Sequence, residues 1–148
     1  MKARLPSVVA VAALCLAAPA AAQSIPLDLG RLGYAAVGDA ARRATLALDD
    51  QARPRVVLLR ILDGRLLPPH GGEGGARLLT VVSGTLSWGD GDPFDPARER
   101  TFGPGEIIVL PAGGAVHWAA ARHGDVLVQI VMLDDGALAP EVQAQLAR

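Results

Sequence analysis

Cysteine is all but missing from this chain of 148 residues: the single one, Cys15, lies within the first 22 positions. Lysine is equally scarce, with Lys2 the only example, so every later basic side chain except the histidines is an arginine. No apolar stretch reaches the ~20 residues that a membrane-spanning helix needs. No basic stripe interleaved with aromatics is present, which argues against a nucleic-acid partner. The glycine-rich run Gly71-Gly72-Glu73-Gly74-Gly75 lacks the following Lys-Ser/Thr of a phosphate loop, and that excludes the common nucleotide-binding reading.

Residues 1–22 have the layout of a secretory signal. Lys2 and Arg4 form a positive start, Val8 to Ala18 an apolar stretch, and Ala20-Ala21-Ala22 a small-residue cleavage site, which predicts a cut before Gln23. Leu14 before Cys15 is a poor match to a lipoprotein site. The expectation is an exported protein, periplasmic or secreted, with no membrane span after cleavage. Such a mature chain has no cysteine, which excludes disulfides, thiolate catalysis and cysteine-based zinc sites. It keeps twelve basic against fifteen acidic side chains.

Half the chain is hydrophobic and a fifth is charged, the composition of a globular domain. Residues 23–50 carry a weak pattern, with an alanine-rich stretch at Ala40-Ala41-Arg42-Arg43-Ala44, and read as an N-terminal arm holding a short helix or irregular structure. From Arg55 the rhythm is all-β. Strands are expected at Val56–Leu62, Leu66–His70, Arg77–Ser83, Thr85–Trp88, Glu106–Leu110, Val116–Ala119 and Asp125–Met132, separated by Gly-, Pro- and Asp-rich turns. Residues 51–135 therefore read as one small barrel or jelly roll. Several strands, such as Ile107-Ile108-Val109-Leu110, are apolar on both faces, which suits a homodimer or an assembly role. The tail 136–148 reads as a short helix with Pro140 in its first turn.

Two segments resemble the paired motifs of the cupin superfamily. The first is Gly64, five residues, His70, then Arg77, six residues, Gly84. The family pattern places a second histidine at Gly72 and a glutamate at Arg77. The second is Gly105, five residues, Pro111-Ala112-Gly113, after which the family histidine falls at Val116, while His117 follows one residue later. The resemblance runs from about Asp50 to Leu133. It implies a cupin-type double-stranded β-helix, a jelly-roll barrel, around a cavity.

It also implies a site for a divalent transition metal (Fe, Mn, Ni, Cu or Zn) held by three imidazoles and a carboxylate. Here Gly72 offers no side chain and Arg77 replaces an anion by a permanent cation. Two unit charges 4 Å apart interact by about 4 kcal/mol even at an effective dielectric of 20, so an inward Arg77 disfavours the usual ion. Glu73 has three readings: exposed in its glycine loop, paired with Arg77, or turned inward as a replacement ligand. His70 is a ligand, a base or a strand-end histidine. His117 enters the cavity only if the extra residue is absorbed within Gly113-Gly114, since a one-residue slip reverses the face of a strand; Trp118 would then face outward. His123 sits in a turn. Trp88, Trp118 and Gln129 are further candidates to line a pocket.

Three functions remain open. One is a binding domain that holds a small anionic molecule through Arg77, His70 and His117, with Gln129 and Trp88 beside them. Another is a metal-dependent oxygenase or isomerase with a rebuilt site of His70, Glu73 and His117. A structural or assembly protein is the third.

Overall fold

The computed structural model describes residues 23–71, 74–134 and 136–147. The expected leader, 1–22, and the Gly72–Glu73 pair lie outside them. The chain forms two units, residues 1–30 and 31–148. In the described part of the first, 23–30, the carboxylate of Asp28 accepts the N–H of Gly30 at 2.9 Å. Among the described residues no helix is long and apolar enough to cross a membrane.

Among its described residues the second unit has ten strands: β1 (Ala35–Val37), β2 (Ala41–Leu48), β3 (Pro54–Ile61), β4 (Leu66–His70), β5 (Arg77–Ser83), β6 (Leu86–Asp90), β7 (Arg100–Phe102), β8 (Ile107–Leu110), β9 (His117–Ala121) and β10 (Val126–Met132), followed by helix α1 (Pro140–Leu146). They make a six-stranded sheet, in the order β1-β2-β3-β10-β5-β8, and a four-stranded sheet, β4-β9-β6-β7. Every pairing is antiparallel.

Period-two alternation decides what faces the interior. On β5 the inward set is Arg77, Leu79 and Val81; on β9 it is His117, Ala119 and Ala121; on β6 it is Leu86 and Trp88. Leu79, Val81, Leu86, Trp88, Val126 and Val128 are buried in one cluster between the sheets. Burying each of the larger ones stabilises the fold by about 1.5–3 kcal/mol.

The small alanines of β9 leave room for larger side chains opposite them, and β9 is buried on both faces. Its outer face is covered by the loop after β6: Phe94 packs edge-on against Trp118 with ring centroids 4.5 Å apart. Arg122 joins Glu99 at 2.7 Å and sets its guanidinium 5.9 Å from the Phe94 ring. Ser87, 2 % exposed, hydrogen-bonds to the same Glu99 carboxylate.

The N-terminal segment corrects an expectation. Residues 41–48 are neither a helix nor an irregular arm but a full strand, β2, paired along β3 from Ala41↔Ile61 to Leu48↔Pro54. The intrinsic helix preference of alanine is worth less than 1 kcal/mol per residue, and burial of Ala41 and Ala44 against the sheet overrides it. Strand β7 was also absent from the expected set; three residues are too few to carry a period.

Candidate functional site

Three strand ends meet at one end of the barrel. His70 closes β4, Arg77 opens β5 and His117 opens β9. All three line one cavity of about 60 Å³, room for about four water-sized groups. Its deeper wall is apolar, formed by Leu59, Leu79, Leu86, Ala119, Val128 and Ile130. A neighbouring pocket shares Arg77, Leu110 and His117 with it and is lined also by Gly71, Gly75, Pro111, Gly114 and Ala115.

A bulge aims His70 inward. β4 pairs with β9 at Leu67↔Ala119 and then at His70↔His117, so two residues on β4, Pro68 and Pro69, lie opposite one on β9, Trp118. The extra residue falls at Pro68-Pro69, where the missing N–H groups remove ladder bonds that a regular strand would make. It returns His70 to the face of Leu67, where it lines the cavity from the exposed end of β4. His117 reaches the same face because the extra residue after Pro111 is taken up by a tight turn, in which the Gly114 N–H bonds to the Pro111 carbonyl at 3.0 Å. Trp118 accordingly points outward.

The imidazoles of His70 and His117 meet edge to face with ring centroids 4.5 Å apart. His117 is 5 % exposed and stacks on Trp88 at 4.5 Å, the planes 11° apart. The Trp88 indole N–H bonds to Asp90 at 3.1 Å, and the other Asp90 oxygen binds Arg100 at 2.5 Å. Gly71 packs under His117: with φ of +109°, its added Cβ would lie 3.0 Å from the ring carbon Cε1. A Cβ on Gly74 would lie 2.7 Å from Arg77 Nη2, so both basic side chains rest on glycine backbone.

Burial, followed by the nearby His70, holds His117 below the usual imidazole range; Arg77 pushes the same way, against the Ala115 carbonyl and Asp90. Nδ1 of His70 lies 2.7 Å from the Pro68 carbonyl, and Nδ1 of His117 3.3 Å from that of Ala115. Carbonyls only accept, so each bond requires the ring proton on Nδ1 and leaves the Nε2 lone pair available in the neutral ring.

The described donors do not fit a resident divalent ion. A structural or catalytic zinc-type site takes at least three protein ligands. No group of three His, Cys, Asp or Glu lies together among the described residues. Arg77 adds a permanent positive charge to the same cavity. Glu73, for which ligation was one of three readings, lies outside the described residues.

No protein-family profile matches the chain, and no curated protein does. Solved structures do. A cupin superfamily protein from Desulfitobacterium hafniense DCB-2 superposes over 76 % of this chain and 94 % of its own, at 23 % identity and a TM-score of 0.53. This chain has the cupin fold. KdgF from Halomonas sp. is similar over 75 % of this chain and 97 % of its own, at 20 % identity and a TM-score of 0.54. The polyketide cyclase RemF from Streptomyces resistomycificus covers 74 % and 79 %, at 15 % identity and 0.58. At these identities the likeness is one of architecture, and chemistry has to be argued from the residues.

Around its cavity this cupin barrel gathers His70, Arg77, Trp88 and His117 from the sequence candidates. Gln129 is not among them: Val128 and Ile130 on either side line the cavity, so alternation turns Gln129 to the other face of β10. Trp118 is wholly buried beneath Phe94, and His123 is exposed in a turn. Asp90 was not foreseen. Its two-residue spacing from Trp88, which places both on one face, was the signal that could have found it.

Proposed function

We propose that the barrel cavity binds a small organic anion, with Arg77 as the permanent counter-charge and His70 and His117 completing the polar end. The observation that carries this reading is the make-up of the polar end: the Arg77 guanidinium and the His70 and His117 imidazoles line one cavity, while the Asp90 carboxylate beside them is bonded to Trp88 and Arg100. A guanidinium offers a carboxylate two parallel N–H donors. Each imidazole, when protonated, adds a donor at Nε2. The glycine backbone under Arg77 and His117 allows close approach to the mouth. The leader-like residues 1–22 support placing this binding domain in the periplasm or the medium.

Calorimetric titration of the purified chain with acetate, butanoate and benzoate tests the reading. Binding of at least one is expected, and Arg77→Ala should weaken it by about tenfold or more, the worth of a charge-assisted hydrogen bond. Unchanged affinity in Arg77→Ala would remove the proposal.

One observation favours a second reading, a metal-dependent oxygenase or isomerase whose ion is held by His70, Glu73 and His117. Both Nδ1 atoms face backbone carbonyls, the arrangement that fixes the tautomer of metal-ligating histidines. Elemental analysis of untagged protein separates the two: near-stoichiometric transition metal, lost in His70→Ala, supports the second reading.

A further inference from the structure

The cavity differs in kind between its mouth and its depth, and that difference bears on what the anion carries with it. We infer that the ligand is a short-chain aliphatic monocarboxylate, its carboxylate at Arg77 and its tail inside the barrel. This rests on the anion-binding reading above and extends it from a charge to a substrate class.

On every strand that supplies a polar group, the next inward position is apolar. On β5 Arg77 is followed by Leu79, on β9 His117 by Ala119, and on β4 His70 is preceded on that face by Leu67. Two residues of strand advance about 6.7 Å, so the polar layer gives way to hydrocarbon within that depth. Leu59, Val128 and Ile130 complete the apolar wall from the opposite sheet. Beyond it the barrel is closed by Val81, Ala121 and Val126, each 1 % exposed or less.

An inorganic anion or a dicarboxylate would leave this wall facing water or an unpaired charge, which costs free energy. A carboxylate with a tail of about three or four carbons matches both the length and the room for about four water-sized groups. Ala119 is the smallest side chain in the wall, and Leu79 a large one directly inward of Arg77; these two positions set how long a tail is accommodated.

The test is a calorimetric series on the purified full chain with acetate, propanoate, butanoate, pentanoate, hexanoate and octanoate, beside inorganic phosphate and neutral butanamide. Affinity is expected to rise about fourfold per methylene up to butanoate or pentanoate and to fall by octanoate, with phosphate and butanamide well below butanoate. Leu79→Ala should move the optimum to longer acids and Ala119→Val to shorter ones, with thermal melts confirming that each variant folds. A flat profile, or phosphate bound as well as butanoate, overturns the aliphatic ligand while leaving the anion site standing. An optimum that moves in neither folded variant overturns it too. Absence of binding by every anion in the series removes the anion-binding reading itself, and this inference with it.

Discussion

The indole of Trp88 and the imidazole of His117 lie face to face, their centroids 4.5 Å apart and their planes 11° from parallel. They sit on the neighbouring strands β6 and β9, where Trp88 is opposite Ala119 and Asp90 opposite His117. The stack is therefore a diagonal contact across the sheet, possible because the alanine leaves space. Asp90 fixes the indole through its N–H and is itself held by Arg100. Trp88→Ala should cost about 4 kcal/mol of stability, in the range for emptying a buried aromatic site. Trp88→Phe should cost about 1.5 kcal/mol, since an apolar ring remains but part of the stack and the Asp90 bond are lost. Urea denaturation of the two variants measures both values.

On the other face of the same sheet, Trp118 lies across Gly89. A Cβ added at Gly89 would come within 2.2 Å of the indole carbons, closer than any rotamer change in a packed face relieves. Gly89→Ala should destabilise by about 3 kcal/mol, the upper part of the range for overpacking. The smaller ring of Trp118→Phe should recover part of this loss in the double variant, a non-additivity expected of residues in contact. Trp118→Phe sacrifices no hydrogen bond of its own, because the Trp118 Nε1 has no acceptor within reach among the described residues. Thermal melting of the two single variants and the double variant checks this. Additive losses would mean that Gly89 matters for another reason.

Much of this architecture is legible in the residues, for identifiable reasons. Strands Leu66–His70 and Arg77–Ser83 fall at their expected positions because turn-forming residues bracket them on both sides. The inward position of Arg77 follows from the glycine-framed spacing of the first cupin-like motif. By contrast, residues 41–48 read as part of an arm with a short helix or irregular structure, because their alanines carry no strand signature; pairing with the next strand, β3, makes them a strand. Gln129 could not be phased, since Leu127, Val128, Ile130 and Val131 are apolar on both sides and leave no alternation to read. The face of His117 depended on how a glycine turn absorbs one residue, which is loop geometry and not pattern.

Stability should fall in acid, and part of the fall should trace to Glu99. The bond from Arg122, followed by that from Ser87, holds the Glu99 carboxyl below the usual carboxylate value against a smaller opposing effect of burial. A group whose pKa is lower folded than unfolded leaves the unfolded chain binding more protons. Its contribution is therefore present above the unfolded value of 4.5 and is lost as pH falls through the folded one. Asp49, bonded to Arg53, and Asp134, bonded to Arg55, are shifted the same way and add to the effect. Glu99→Gln should be less stable at neutral pH and show a shallower loss between about pH 5 and pH 3. Denaturant midpoints across that range measure it, and parallel curves for the two proteins would deny Glu99 the role.

His70 owes its place in the cavity to one surplus residue in β4, and that dependence can be tested by removing it. With Pro68 and Pro69 opposite the single Trp118 between the pairs Leu67↔Ala119 and His70↔His117, the strand changes phase at Pro68-Pro69. Deleting Pro69 restores a regular register, and a side chain shifted by one position moves to the opposite face of its sheet. The deletion should therefore turn the imidazole out of the cavity while keeping it in the chain. In the anion-binding reading it should weaken carboxylate binding by about tenfold, and His70→Ala should do the same. The double change, Pro69 deletion with His70→Ala, should lose no more than either alone. Nuclear magnetic resonance of the imidazole adds a readout independent of binding: contacts between the His70 and His117 rings, centroids 4.5 Å apart in the intact chain, should disappear in the deletion variant. Their persistence would mean that the strand reforms its bulge with other residues and that the prolines do not set the phase.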